Sequence, residues 1–199
     1  MNGTKLILAS GSPRRREILR MAGYGFEVIA SEAEELASAA SPGELVKFNA
    51  AIKARGVAAL PRARGRFVIG ADTVVCLDGE ILGKPRDAAD AKRMLKSLSG
   101  RRHEVLTGWC IVSPDGSEES GVCATNVKFR ELSGEDIDSY VATGEPMDKA
   151  GAYGVQERGC TLVESVEGDF FNVVGLPISV IHKKLGEMGI KPSDILGQN

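Results

Sequence analysis

Apolar positions recur along the chain with two different periods, one typical of strands and the other typical of helices. Short apolar runs predict buried strands at 6–9 and 67–71, and residues 26–30 alternate as a half-buried strand does. This interleaved order of strands and helices favours an α/β or α+β fold. The predicted helices run from Pro13 up to Gly23, from Ser41 to about Leu60, from Asp87 to about Ser97, from Ser133 to about Thr143, and over Ile178–Met188.

Turn sequences between apolar segments predict three β-hairpins. Residues 144–160 are rich in glycine and charge, and we interpret them as a functional loop. In the second predicted helix, Leu45, Phe48 and Ile52 have helical spacing and are expected to face the core. The predicted hairpins pair 74–77 with 80–82 around Asp78-Gly79, 104–112 with 121–129 around Pro114-Asp115-Gly116, and 161–166 with 170–174 around Glu167-Gly168-Asp169.

The composition is that of a globular protein, and we expect a single domain over 1–199. The chain has 25 basic and 27 acidic residues, a net charge of −2, with 43% hydrophobic and 26% charged residues. This nearly equal number of basic and acidic residues argues against a nucleic-acid partner. No apolar stretch is long enough to cross a membrane. The run at 6–9 is too short for a signal-peptide core, so we expect a cytoplasmic protein. The four cysteines form no C-x-x-C pair and predict reduced thiols rather than a zinc site.

A candidate anion site lies where the first strand turns into the first helix. Ser10 and Ser12 bracket a glycine that lets a phosphate approach, and free N–H groups are expected at the helix start. Arg14 follows in the first helical turn, where a positive charge opposes the helix dipole and so gains nothing for helix stability. The sequence therefore favours a phosphate site, although a capped helix with solvated arginines would show the same pattern.

Carboxylates follow two other strands. Asp72 comes directly after the apolar run 67–71, and Glu35 lies in the acidic segment after 26–30, beside Glu32 and Glu34. Carboxylates at strand ends suit Mg²⁺ or can orient a water molecule, but an ordinary turn aspartate and a solvated acidic loop fit equally well. Lys84 is presented by a tight turn and could contact phosphate or solvent. Together, these groups predict a nucleotide phosphate held by basic groups and bridged by a divalent ion to acidic ones.

Five motifs, taken in order, carry a family resemblance. They are Ala9-Ser10-Gly11-Ser12-Pro13-Arg14-Arg15, Gly70-Ala71-Asp72-Thr73-Val74-Val75, Leu82-Gly83-Lys84-Pro85, the set Ser99-Gly100, His103, Val105 and Thr107-Gly108, and Val173-Val174-Gly175-Leu176-Pro177. In this order and spacing, they resemble the Maf family of nucleotide pyrophosphatases over essentially the whole chain. Residues 145–156 further resemble the subgroup that hydrolyses dTTP and UTP.

The resemblance implies an inosine-triphosphatase-like (Maf/Ham1) α/β fold, with a mixed, twisted, mostly antiparallel sheet, flanking helices and two lobes around a cleft. It implies hydrolysis of dTTP and UTP to the monophosphate and pyrophosphate, with modified pyrimidine triphosphates also open as substrates. The implied cofactor is a divalent cation, Mg²⁺ or alternatively Mn²⁺ or Co²⁺, and the implied assembly is a homodimer.

The family pattern also assigns roles to residues. Asp72 would be the general base or a metal-linked carboxylate, and Glu35 would be the second metal ligand. Substrate specificity would depend on Arg14, Thr73 and Gln156, and further substrate contacts would come from Ser10, Ser12, Lys53 and Lys84.

Two other functions compete with hydrolysis. Family members are also described as septum-formation inhibitors, so a nucleotide-binding regulator of cell division with little turnover stays open as an alternative. The carboxylates Asp72 and Glu35 argue against it, because a pure binder gains little from negative charge near phosphate. A nucleic-acid binder using the arginines at 14–16 and 62–66 is disfavoured because no aromatic platform lies between them.

Overall fold

The computed structural model describes residues 5–192, so the predicted domain 1–199 extends beyond the described residues at both ends. Strands and helices alternate through most of the chain, as the periodicity predicts. The strands are β1 (Leu6–Leu8), β2 (Glu27–Val28), β3 (Phe67–Leu77), β4 (Glu80–Leu82), β5 (Arg102–Val112), β6 (Glu118–Phe129) and β7 (Val163–Glu167). The helices are α1 (Pro13–Met21), α2 (Pro42–Ala58), α3 (Ala88–Leu98), α4 (Gly134–Ala142), α5 (Phe170–Val174) and α6 (Ile178–Glu187). Short 3₁₀ turns lie at Pro61–Ala63, Glu145–Asp148, Ala150–Ala152 and Glu157–Leu162.

The strands form a seven-stranded mixed sheet in the order β2-β1-β3-β5-β6-β7, with β4 paired to β3. β1 runs parallel to β2 and β3, whereas β4 and β7 run antiparallel to β3 and β6. The mixed α/β prediction is therefore confirmed. Within residues 5–192, none of the helices combines the length and hydrophobicity needed to span a bilayer.

Side-chain caps start four of the helices where the sequence predicts them. The caps of α1, α2, α3 and α4 each accept a hydrogen bond from the backbone N–H three residues later, which satisfies one orphan donor of the first turn. In α4 the bond is reciprocal, because the Asp136 carboxylate also accepts from the backbone N–H of the cap. The four caps are Ser12, Ser41, Asp87 and Ser133.

The chain is divided into two compact units, each assembled from separate segments. Within the described residues, the first unit comprises 5–72, 107–122 and 175–192, and the second comprises 73–106 and 123–174. We predicted two lobes, and these units correspond to them. The predicted cleft, and the prediction of one domain, stay predictions.

In the first unit, α2 packs backbone-to-backbone against the sheet. A Cβ added at Gly70 would lie 2.2 Å from the Ala50 carbonyl oxygen, and one added at Gly108 would lie 2.1 Å from that of Val46. Only small side chains fit such an approach, and Ala50 and Ala54 are fully buried there. This face of the helix forms part of a core with β1, β3 and β5.

The buried face of α2 differs from the apolar stripe predicted for it, because the helix lies so close to the sheet. Leu45 is buried as predicted, but Phe48 is 47% exposed and Ile52 is only partly buried. The buried face instead carries Val46, Ala50 and Ala54, because the two strand glycines leave no room for larger residues.

The predicted strand at 170–174 is wrong, because these residues form the short helix α5. The Asp169 carboxylate accepts a hydrogen bond from the Asn172 backbone N–H, as a helix cap does. The Asn172 side chain donates to the Val105 carbonyl oxygen and to the Thr125 hydroxyl, both at 2.9 Å. The buried side chain of Asn172, held by these two bonds in the middle of the apolar run, thus favours the helix over the strand.

Candidate functional site

Ser10 and Ser12 form a compact turn between β1 and α1 in the first unit. The Ser10 hydroxyl accepts hydrogen bonds from the Ser12 backbone N–H at 3.3 Å and from Arg15 Nη1 at 3.1 Å. Ser12 caps α1 by accepting from the Arg15 backbone N–H at 3.4 Å. The turn therefore places hydroxyl groups and helix N-terminal N–H groups together, which is an arrangement suited to an anion.

Arg15 is a residue that sequence reasoning missed. Its Nε donates to the Gly175 carbonyl oxygen at 2.7 Å, and its Nη1 donates to Ser10. Burial lowers the pKa of Arg15 below its usual value, and the negative charges of Asp72 and Glu35 oppose that shift. Arg15 is therefore within electrostatic range of the predicted carboxylates. The only sequence signal for this contact was that Arg15 and Gly175 each lie in a family motif. The local sequence does not distinguish Arg15 from its neighbours Arg14 and Arg16.

Lys53 joins the two predicted metal ligands. Its Nζ lies 2.8 Å from Asp72 Oδ1 and 2.8 Å from Glu35 Oε2. The side chains of Lys53 and Asp72 are each only 14% exposed, whereas that of Glu35 is 47% exposed. Low exposure strengthens the Lys53–Asp72 attraction relative to a surface pair. Glu35, Lys53 and Asp72, to which the family resemblance assigns roles, therefore lie together in the structure.

Helix α2 carries Lys53, and its backbone packs directly against Gly70, two residues before Asp72. Asn49 lies one turn earlier on the same side of α2 and is 3% exposed. Its amide accepts from the Leu36 N–H at 2.8 Å and donates to the Leu36 carbonyl oxygen at 3.1 Å and to Asp72 Oδ2 at 3.4 Å. Asn49, also missed from sequence, thus ties the segment that carries Glu35 to Asp72.

The residues fit a hard cation that arrives with phosphate, rather than a preformed metal cage. Among residues 5–192, no three His, Cys, Asp and Glu side chains cluster closely enough to bind a metal ion by themselves. Asp72 and Glu35 nevertheless already share one cation, the Lys53 ammonium. Mg²⁺ commonly binds to one or two carboxylates and completes its coordination with water and substrate phosphates. The donor set is chemically suited to that arrangement.

Three predicted residues belong to the second unit. Thr73 is half-buried in β3, directly after Asp72, and Lys84 is exposed in the turn after β4. Gln156 is half-buried and immediately precedes the 3₁₀ turn Glu157–Leu162. The loops that carry Lys84 and Gln156 are linked within this unit, because the Gly151 N–H donates to the Gly83 carbonyl oxygen at 3.0 Å.

His103 pairs with Tyr153 in the core of the second unit. Its Nε2 lies 2.7 Å from the Tyr153 hydroxyl, and both rings pack edge-on against Phe129. Burial lowers the pKa of His103 to about 4 and raises the pKa of Tyr153. His103 is therefore neutral at neutral pH and supports the loop that begins at Tyr153.

Known proteins resemble the chain over nearly its whole length. A family model described as "Maf-like protein" matches residues 5–188. The dTTP/UTP pyrophosphatase of Thermococcus gammatolerans is 52% identical over 186 residues, which cover 94% of this chain and 97% of that protein. Those of Dictyoglomus thermophilum and Bacillus cereus (strain AH820) are 46% and 48% identical, covering 93% and 94% of this chain and 96% of each relative.

A search of solved structures finds a HAM1 protein from Coxiella burnetii. It is 16% identical, has a TM-score of 0.49, and aligns over 92% of this chain and 98% of that chain.

Proposed function

The chain belongs to the Maf-like protein family, and we propose that it is a nucleoside triphosphate pyrophosphatase acting on dTTP and UTP. The proposed reaction is attack of water on the α-phosphorus, giving the nucleoside monophosphate and pyrophosphate. The activity named for relatives about 50% identical over more than nine-tenths of the chain supports this proposal.

One observation carries the proposal at the level of the site: the nearly buried Asp72 carboxylate, which Lys53 holds at 2.8 Å and Arg15 faces electrostatically. An ionised carboxylate fixed in this way can accept a proton from an attacking water molecule. Arg15 also donates to Ser10, so a cation of the anion-binding turn interacts electrostatically with Asp72. Base and anion-binding groups thus belong to one network of the first unit.

The remaining roles follow from the chemistry of phosphate. The hydroxyls of Ser10 and Ser12 and the N–H groups of the α1 N-terminus would bind phosphate oxygens. Lys53 and Lys84 would neutralise charge on the pyrophosphate leaving group, where fixed positive charge stabilises the transition state. Base and sugar selection would involve Arg14, Thr73 and Gln156.

A divalent cation, Mg²⁺ or alternatively Mn²⁺ or Co²⁺, would be held by Asp72 and Glu35. When bound, it would supply charge neutralisation on the phosphates. We further propose a cytoplasmic enzyme that acts as a homodimer and has no nucleic-acid or membrane partner. Modified pyrimidine triphosphates are included among the candidate substrates.

The direct test is to incubate the purified protein with dTTP or UTP and Mg²⁺ and to measure pyrophosphate and orthophosphate separately. We expect pyrophosphate as the product. The Asp72→Asn variant should lose roughly 10²–10³-fold in kcat, because its amide is a poor proton acceptor and lacks the charge. Asp138→Asn is the matched control, since Asp138 makes an exposed pair with Lys92.

Release of orthophosphate alone, or full activity in a folded Asp72→Asn variant, would contradict the proposal. Tight binding of dTTP with no turnover in Mg²⁺, Mn²⁺ or Co²⁺ would instead support the regulator of cell division.

A further inference from the structure

The loop that carries Gln156 is closed into a tight ring at its base. A Cβ added at Gly159 would lie 2.0 Å from the Gly154 carbonyl oxygen, so the two glycines are in direct backbone contact. Gln156 and Glu157 lie between them, and Glu157 adopts a left-handed φ of 53°. That conformation is unfavourable for a non-glycine residue, so other contacts must hold the loop in this shape.

Glu145 supplies two of those contacts. Its Oε1 accepts from the Gly159 N–H at 3.1 Å, and its Oε2 accepts from the Arg158 N–H at 3.2 Å. Hydrogen bonds to an ionised acceptor are stronger than those between neutral groups. One carboxylate therefore holds two consecutive peptide groups on the C-terminal side of Gln156.

Tyr140 extends the same contact to the other side of the loop. Its hydroxyl donates to Glu145 Oε1 at 2.9 Å and accepts from the Gly154 N–H at 3.2 Å. Burial raises the pKa of Tyr140, so the hydroxyl keeps its proton and remains a donor. The Glu145–Tyr140 pair thus bonds the loop both before and after Gln156.

Glu145 is itself held firmly. Its backbone N–H donates to the Thr143 hydroxyl at 3.1 Å, and its carbonyl oxygen accepts from Lys149 Nζ at 2.7 Å. An open pocket of about 580 Å³ borders Glu145, Glu157 and Arg158. The loop borders open space on that side, so these hydrogen bonds are its contacts there.

We propose that Glu145 is a positioning residue of the proposed active site, whose carboxylate sets the backbone of residues 154–159 and thereby the base selectivity contributed by Gln156. The inference rests on the proposed function. A side-chain carboxamide can distinguish the N3–H donor and O4 acceptor of thymine and uracil from the N3 acceptor and N4 donor of cytosine only if its position is fixed. The contacts of Glu145 and Tyr140 fix the backbone on both sides of Gln156, from which that side chain extends.

The test compares dTTP with dCTP for the wild type, Glu145→Gln, Gln156→Ala and the double variant. In Glu145→Gln, the new NH₂ group meets the N–H of either Arg158 or Gly159, and one bond to the loop is lost. We expect KM for dTTP to rise and the dTTP/dCTP ratio of kcat/KM to fall, each by roughly tenfold, with kcat nearly unchanged. Glu164→Gln is the matched control, because Glu164 pairs only with the exposed Lys128 in the described contacts.

The double variant separates positioning from general stability. If Glu145 acts through Gln156, its substitution should cause no further loss of selectivity in the Gln156→Ala background. Losses that multiply in the double variant, or a wild-type ratio in Glu145→Gln, would overturn the inference. If Glu145→Gln does not fold, Tyr140→Phe weakens the same contact while keeping the carboxylate, and the same outcomes apply.

Binding of the non-hydrolysable α,β-imido analogues of dTTP and dCTP, measured by calorimetry, distinguishes the two proposals. A wild type that prefers the dTTP analogue but releases no pyrophosphate would contradict the proposed function, and the variants would still test the role of Glu145. A wild type that binds neither analogue would overturn both.

Discussion

At the scale of single residues, the buried charged groups of the site are paired with one another or with polar side chains. Lys53 satisfies both carboxylates and Asn49 satisfies the remaining oxygen of Asp72. Each of these contacts matters because an unpaired buried charge costs several kcal/mol. His103 is the contrasting case, since it is buried without a charged partner among the described contacts and stays neutral.

The neutrality of His103 predicts a pH dependence of stability. Its pKa is about 4 in the folded protein and about 6.5 when unfolded, so the unfolded state binds the extra proton between these values. The free energy of unfolding should therefore fall as the pH drops from 6.5 to 4, by about 3 kcal/mol from this group. Above pH 6.5 this contribution should be constant.

Urea unfolding of the wild type and His103→Gln between pH 4 and 7.5 checks this prediction. The variant should show a smaller fall, because glutamine does not titrate and can still bond Tyr153. The His182→Gln variant retains His103 and is the control for loss of a histidine that bonds a different tyrosine, Tyr24. Parallel curves for the wild type and His103→Gln would show that the prediction is wrong.

At the scale of elements, α2 is positioned by backbone contact with the sheet. Its buried side chains are small, and Gly70 and Gly108 permit the close approach. Because Asn49 and Lys53 lie on this helix, any shift of its backbone also moves the groups that hold Asp72. The packing of α2 at Gly70 and Gly108 therefore determines where Asn49 and Lys53 lie relative to Asp72.

The Gly70→Ala and Gly108→Ala variants should be destabilised by more than the 1–3 kcal/mol typical of overpacking, because the new methyl meets backbone atoms. Their pyrophosphatase activity should also fall, even under conditions in which they are folded. Gly186→Ala in α6 is the control, since nothing lies within 4 Å of its added Cβ, and it should be neutral or up to about 1 kcal/mol more stable. Urea unfolding and kcat measure both effects, and a Gly70→Ala variant as stable as the wild type would contradict the packing argument.

The elements that sequence patterns predict well are those with local signals. Ser12, Ser41, Asp87 and Ser133 start their helices as predicted because a cap needs only the next three residues. The α2 stripe and the α5 helix were mispredicted because distant residues decide them: Gly108 for α2, and Val105 and Thr125 for α5.

The residues of the candidate site likewise differ in whether the sequence reveals their role. The family resemblance assigned Glu35, Lys53 and Asp72 to the site, and the structure brings them together. Asn49 lies outside the motifs, and Glu145 lies in the segment 145–156 but had no role assigned to it. The roles of both depend on bonds to backbone groups that no sequence pattern displays.

At the scale of the whole molecule, the four cysteines are free and differ in accessibility. Cys76 and Cys110 are buried, Cys123 is partly buried and Cys160 is exposed. Burial raises the pKa of Cys110 to about 11 and also raises the pKa of Cys76 and Cys123. Since the thiolate is the reactive form, these three thiols should react slowly in the folded protein.

Titration with a disulfide reagent at pH 8 should therefore show one fast thiol in the native protein and four in strong denaturant. The Cys160→Ser variant should lose the fast phase, and Cys123→Ser should keep it. Two or more fast equivalents, or a fast phase that survives in Cys160→Ser, would contradict the assignment.

The bond between Arg15 and the Gly175 carbonyl oxygen has a consequence for synthesis of the protein. Its two ends are 160 positions apart in the chain. During translation, Arg15 leaves the ribosome first, and its carbonyl partner follows 160 residues later. The anion-binding turn therefore lacks this contact until Gly175 has left the ribosome, and a nascent chain that ends before Gly175 should not hydrolyse nucleotide.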